Sequence, residues 1–285
     1  MISSNAHDIH MPTLYIVSTP IGNLEDITLR ALRILREVRL IAAEDTRVTR
    51  KLLSHYDIHT RLTSFNEHNQ SSCIPELLST LHEGDIALVS DAGTPGVNDP
   101  GQTLVNAAID AGFSVVAVPG ASAVTASVAV SGLVEEPFVY LGFLPRKKSE
   151  RVALLQSLLA ETRPAIAFES PRRLRRSLQD LDDMLGDRRI AICREMTKLH
   201  EEVFRGTASD ALAHYTQPRG EFTLVIAGAA NVPQDDRAAE QTATCLIAEL
   251  RVQGAGAKHA VAHVSAVSGL SRRRVYQLWL EQHGD

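Results

Sequence analysis

Apolar positions along this chain fall into two kinds of run. Short β-prone blocks at residues 14–17, 40–43, 61–64, 86–90 and 114–118 each empty into turn-forming residues, which is the pattern of buried strands. Between them, Leu29, Leu32, Leu35 and Val38 recur at helical spacing, with Arg30, Arg33, Arg36 and Arg39 on neighbouring faces. Helices are also expected from near Arg47 and over residues 102–111 and 121–134. The pattern restarts after an apolar segment at 138–144. A helix capped by Ser149 then runs to Leu159, strands follow at 165–168 and 189–193, and the stretch opened by Arg172 is helical. Residues 203–206 read as extended, 208–215 as helical and 220–228 as a strand closing the domain. Residues 232–236 read as a linker, and the helical stretches 238–252, 258–264 and 271–282 lie beyond it.

The turns after the strands carry more information than the strands. IALVSDAGTPGVNDPG, residues 86–101, is a strand running into a long loop in which Gly93, Gly96 and Gly101 let a ligand approach main chain while Pro95 and Pro100 stiffen the path. The turns after Val17 (STPIGN) and Val118 (PGASA) share its chemistry of small residues, proline and few charges. In open α/β sheets, ligands bind at such carboxyl-end loops. The first turn is a poor dinucleotide site, since it has one glycine and Pro20 lacks an N–H for a pyrophosphate.

At 285 residues and 44% hydrophobic, the chain can bury two domain cores. A net charge of -5 argues against non-specific coating of nucleic acid, so any such contact must come from local basic patches. Cys73, Cys193 and Cys245 lie far apart, which suits reduced thiols in a cytosolic protein. Residues 1–12 are polar and read as a loose leader, and the apolar run at 121–134 falls short of the ~20 residues that span a bilayer. His55 and His59 have no third ligand at matching spacing, so no metal is expected.

Candidate chemistry sits at the strand ends. Asp45 could hold a ribose hydroxyl or cap the helix beginning near Arg47; both readings stay open. Asn66 and His68 occupy the polar loop FNEHN, either a reaction site or ordinary surface. Arg172, Arg173, Arg175 and Arg176 open a helix, the unfavourable end for cations, which suits either a phosphate partner or a solvated face. The densest acid–base cluster is REMTKLHEE, residues 194–202. Arg272, Arg273 and Arg274 open the last helix of a helix, glycine turn, helix arrangement that resembles a helix-turn-helix, the alternative being a packing appendage.

STPIGNLEDIT, AAEDTR, FNEHN, SDAGTPGVNDPG, PGASA, FESPRR, REMTKLHEE and GEFTLVIAG follow one another in that order, and with them the chain resembles the tetrapyrrole methylase superfamily. STPIGN replaces the glycine-rich turn of porphyrinoid-methylating members, which favours the branch acting on ribosomal RNA. The resemblance implies an α/β fold. Two α/β domains, residues 13–137 and 138–231, would hold the cofactor cleft between them, and a helical domain would follow at 238–285. It implies S-adenosylmethionine as cofactor, 2′-O-methylation of a cytidine ribose in the decoding region of 16S rRNA on the small ribosomal subunit, a homodimer and a cytoplasmic location. Cofactor contacts are then expected on Pro20, Ile21, Ala92, Gly93, Thr94, Val97, Ser122, Ala123, Phe168, Phe222 and Thr223. His68 or Glu202 is expected as base and Lys198 as stabiliser of the oxyanion. Substrate contacts are expected on Asp45, Arg47, Asn66, Arg172, Arg173, Arg272, Arg273 and Arg274. The alternatives are a methyltransferase acting on a small molecule or in diphthamide synthesis, and a ligand-sensing helix-turn-helix regulator.

Overall fold

All but one of the strands of the first sheet are short and apolar on both faces, which is what a parallel sheet covered by helices on both sides requires; the exception is the edge strand Leu62–Ser64. The computed structural model describes residues 11–135, 137–229, 236–252, 255–270 and 272–281, the side chains at 236–238, 252, 258 and 273 excepted. Most of the expected leader and linker lie outside these residues. The chain divides into two units, residues 1–229 and 230–285.

In the larger unit, strands β1 (Thr13–Val17), β2 (Leu40–Ala43), β3 (Leu62–Ser64), β4 (Ile86–Val89) and β5 (Ser114–Val118) form a parallel sheet in the order β3-β2-β4-β1-β5. Helices α1 (Leu29–Glu37) and α2 (Thr46–His55) cover one face, where Leu35 and Leu53 meet Ile41, Ala43 and Val89. Helices α3 (Gln70–Glu83) and α4 (Gln102–Asp110) cover the other, where Leu77, Leu81 and Leu104 meet Leu40, Ala42 and Leu88. The chain leaves β1 toward β2 on one side and leaves β4 toward β5 on the other. The crevice between the carboxyl ends of β1 and β4 is therefore the topological switch point, where the backbone is open to a ligand.

The second sheet contains β6 (Val139–Phe143), β7 (Ala165–Glu169), β8 (Ile190–Arg194), β9 (Glu202–Gly206) and β10 (Phe222–Ile226) in the order β6-β7-β10-β8-β9. Only β6 and β7 pair in parallel. Helices α6 (Lys148–Ser157), α7 (Pro171–Leu185) and α8 (Ala208–His214) bury Leu155, Leu174, Leu178 and Ala211 against one face. Helix α5 (Ala123–Ser131) follows β5 in the chain, yet Val124 and Val128 pack on Ile166, Ala191 and Val225 of the second sheet. The stretch before residue 138 thus supplies a layer of the other half.

Two features go beyond the expected elements, and one expectation is corrected. Helix α3 has no counterpart in the sequence reading, because Pro75 inside it and the serines before it hide the period carried by Leu77 and Leu81. Strand β10, the last of the larger unit, lies not at an edge but between β7 and β8 at the sheet's centre. Ser149 lies inside α6, whose N-cap is Lys147 with no side-chain hydrogen bond.

The smaller unit has three helices, α9 (Asp236–Val252), α10 (Ala257–Ser268) and α11 (Arg272–Glu281), around Ile247, Val264, Val275, Leu278 and Trp279. Gly269, at φ 73, makes the left-handed turn between α10 and α11. Among the described residues, no helix is long and apolar enough to cross a membrane.

Candidate active site

The three proline- and glycine-bearing turns lace together. Thr19 N donates to Gly93 O at 2.8 Å and Gly93 N returns the bond to Thr19 O at 3.0 Å, joining the tips of β1 and β4. Ser18 and Thr94 hydroxyls lie 2.8 Å apart, and Ser18 N donates to Val118 O at 3.2 Å, which brings in the tip of β5. Gly93 takes φ 79, a left-handed conformation that glycine adopts at no steric cost. Gly120 has to be small, because a Cβ there would stand 2.9 Å from that of Ser18.

These tips face the ends of β7, β8 and β10 across a cavity of about 370 Å³. Of the expected cofactor contacts, Ile21, Ala92, Gly93, Thr94, Val97, Ser122, Ala123, Phe168, Phe222 and Thr223 line it; Pro20 does not. Met196 and Phe143 add apolar surface. Both halves of the larger unit contribute, and the first residues of α5 carry the wall from one sheet to the other.

The cavity also holds carboxylates that the sequence reading left out. Glu44, Asp91 and Asp99 line it from the ends of β2 and β4. Asp91 Oδ1 accepts from Asp45 N at 3.0 Å, and Glu44 Oε2 accepts from Asp91 N at 3.2 Å, so the tips of β2 and β4 hold each other. Burial raises all three carboxyls above their ordinary values, and Asp99 is pushed up to about 6, with Glu44 adding to the shift. Tyr140 is pushed to about 12 by its own burial and by the Asp99 charge, and its buried hydroxyl has no hydrogen-bond partner among the described residues. The signal for Asp91 and Asp99 was present in the sequence: two acids in a loop otherwise nearly free of charge.

The expected catalytic residues are placed differently. His68 is exposed on the turn after β3, outside the cavity lining. Glu202, on edge strand β9, also lies outside it and accepts from His214 at 2.5 Å and Arg194 at 3.2 Å. Burial raises the Glu202 carboxyl, but those two bonds outweigh it and hold the group below the ordinary range. Lys198 comes nearer, since Nζ donates to Glu195 at 2.9 Å and to Glu221 at 2.7 Å, and Glu221 is at the cavity wall. Burial lowers Lys198, but the two carboxylates outweigh that and keep it charged. Its stem crosses Gly22, where a Cβ would stand 2.4 Å from Lys198 Cγ.

Several expected substrate contacts are taken up by the fold. Asp45 caps α2 and chelates Arg47, whose Nη2 is 2.6 Å away. Asn66 closes its own turn by accepting from His68 N. Arg173 pairs with the buried Glu169 at 2.6 Å and donates to Leu144 O, whereas its neighbour Arg172 is exposed. In the smaller unit Arg274 pairs with Glu240 at 2.6 Å, Arg272 is exposed, and the side chain of Arg273 lies outside the described ones. Among the described residues, no cluster of three or more His, Cys, Asp or Glu could hold a metal ion.

The model of the tetrapyrrole (corrin/porphyrin) methylases matches residues 13–212. The ribosomal RNA small subunit methyltransferase I of Synechocystis is 46% identical over 280 residues, 96% of this chain and 100% of that one. The protein of the same name from Thermotoga maritima is 52% identical over 221 residues, which cover 99% of it but 76% of this chain. The solved uroporphyrin III C-methyltransferase of Thermus thermophilus superposes with a TM-score of 0.55 at 15% identity, covering 75% of this chain and 97% of that one, a likeness of fold.

Proposed function

The chain belongs to the tetrapyrrole methylase family, and from that premise we propose that it transfers a methyl group from S-adenosylmethionine to the RNA of the small ribosomal subunit. The observation that carries this reading is the laced cavity at the switch point, in a chain whose near full-length relatives bear the name of that activity. The finer assignment, to the ribose 2′-hydroxyl of cytidine 1402 in the decoding region of 16S rRNA, rests on the family resemblance. A cytoplasmic location follows from such a substrate.

The cavity fits the cofactor. Phe168, Met196 and Phe222 offer apolar surface to a purine, the open main chain of the Gly93 loop can meet its polar edges, and Glu44, Asp91 and Asp99 favour a cation. When bound, S-adenosylmethionine supplies an electrophilic methyl group on a positively charged sulfur. The chain contributes a rigid wall that excludes water and fixes the line of approach, which accounts for much of the acceleration available to such a transfer. The acceptor for the ribose proton is Asp99, a lining carboxylate that burial pushes up to about 6, in place of His68 or Glu202. Since the Asp99 pKa is raised, the free protein holds this group mostly protonated below about 6 and ionised above it. The kcat/KM for methyl transfer is therefore expected to rise with pH through an inflection near 6, and Asp99→Asn is expected to remove the inflection. A pH–rate profile of both proteins checks this.

The decisive test incubates the purified protein and radiolabelled S-adenosylmethionine with small subunits from cells lacking the protein, then maps ribose methylation. Label on a base, or transfer to a small molecule with none to RNA, would refute the assignment; absence of cofactor binding by calorimetry would favour a ligand-sensing regulator. The homodimer implied by the resemblance is tested by sedimentation. The arginines that open the last helix suit a role for the C-terminal helices in docking rather than chemistry. Truncation after Ala229 is expected to leave cofactor affinity within about twofold and to raise the KM for small subunits about tenfold, the scale of losing one or two phosphate contacts.

A further inference from the structure

Strands β6 and β7 pair in parallel with an irregularity. Tyr140 faces Ile166 and Phe143 faces Phe168, so three steps on β6 match two on β7. The extra residue is a bulge, a rare feature in a parallel pair, and Gly142 supplies the left-handed backbone it needs at φ 69. Side chains alternate along a strand, so without the bulge Tyr140 and Phe143 would point to opposite faces. With it, both rings meet Phe168 edge-on, at 5.5 Å and 5.4 Å between centroids. Gly142 also leaves room for the long loop after β4, since a Cβ there would stand 2.9 Å from Asn98 Nδ2. The distortion thus turns an aromatic ring into the cavity wall and braces it from behind.

Phe143 nevertheless keeps 54% of its surface exposed while Phe222, on the same cavity, keeps 2%. Sites of this size enclose most of a small ligand, so an aromatic more than half in water belongs to the opening rather than to the enclosed cofactor. The chain beside it is basic. Arg146 follows three residues later, and Arg172 opens α7, which Arg173 ties to the end of β6 through its bond to Leu144 O at 3.0 Å. Arg146 and Arg172 are exposed, and neither has a carboxylate partner among the described residues. A braced, solvent-facing ring, with unpaired arginines on the segment that follows it and on the helix tied to its strand, suits a single-stranded nucleotide, with the base on the ring and phosphates on the arginines.

We propose that Phe143 is the platform on which a nucleobase of the RNA substrate stacks as its ribose enters the cavity, with Arg146 and Arg172 holding the flanking phosphates. This rests on the reading of the site as an RNA methyltransferase. Phe143→Ala in the full chain is expected to raise the KM for small subunits about tenfold, the scale of one lost base–aromatic stack, with cofactor affinity unchanged. Phe143→Trp is expected to restore KM. An unchanged KM in the alanine variant, or a parallel loss of S-adenosylmethionine affinity, overturns the proposal, the latter by giving the ring to the cofactor. A second readout is independent of methylation. The one natural tryptophan is Trp279, so quenching seen in Phe143→Trp beyond that of the parent reports the rim. A short single-stranded oligoribonucleotide is expected to quench it, and the same strand with an abasic site in place of one base to quench it less. Lack of quenching overturns the platform even if rRNA is methylated, whereas quenching without rRNA methylation retains it and refutes the ribosomal substrate.

Discussion

Arg151→Ala is expected to lower the unfolding free energy of the larger unit by about 3–5 kcal/mol, the usual effect of leaving one partner of a buried ion pair uncompensated. Arg151 and Asp180 join α6 to α7 with side chains 5% and 4% exposed, and the guanidinium donates through Nε and Nη2 at 2.7 and 2.5 Å. The same arginine donates to Pro145 O at 3.0 Å, so its loss also frees the end of β6. Lys148 Nζ, 3.5 Å from Asp180 but 74% exposed, compensates only in part. For a unit of this size the loss corresponds to roughly 10 °C in melting temperature. The pair is not expected to be the best solution for stability. Arg151→Met with Asp180→Leu removes both charges together and is expected to recover most of the loss, because no buried charge is left behind. Calorimetric unfolding of the three proteins checks both statements, and a loss below about 1 kcal/mol in the single variant would contradict the first.

Ala123→Trp is expected to weaken S-adenosylmethionine binding by at least about 100-fold, equivalent to about 2.7 kcal/mol. Ala123 is the first residue of α5 and lines the cavity where the wall passes from one sheet to the other. An indole there occupies space the cofactor needs, and the helix behind it is fixed by Val124 and Val128 against the second sheet, so the wall cannot retreat. The side chain faces open space, so melting temperature should change little. Titration calorimetry with circular dichroism as control separates the two effects, and unaltered affinity in a folded variant would mean that the cofactor binds elsewhere.

Most strands of both sheets were legible because they are local, apolar blocks that empty into turn-forming residues, whereas β6 reads only as an apolar segment. The cavity wall was legible for the same reason, since the turns after β1, β4 and β5 announce their composition in short runs. What was hidden depends on partners distant in sequence. Glu202 and Arg173 look like free reactive groups until His214 and Glu169 are seen beside them. Asp99 looks like a turn residue until its burial is known, and Phe143 is one more residue of an apolar segment until the bulge at Gly142 is counted. The central place of β10 and the packing of α5 on the second sheet are topological facts that no window of residues contains.

The course of α5 sets a limit on how this protein can be divided. A polypeptide continuing past Ser131 would carry an apolar helix with no surface of its own to cover and would leave Ile166, Ala191 and Val225 bare in the complementary piece, whereas one ending near residue 121 leaves α5 with the sheet it packs on. The two pieces of the later cut should regain solubility only when produced together. The seam between the sheets therefore falls ahead of that helix, and an exchange of halves between relatives has to respect it.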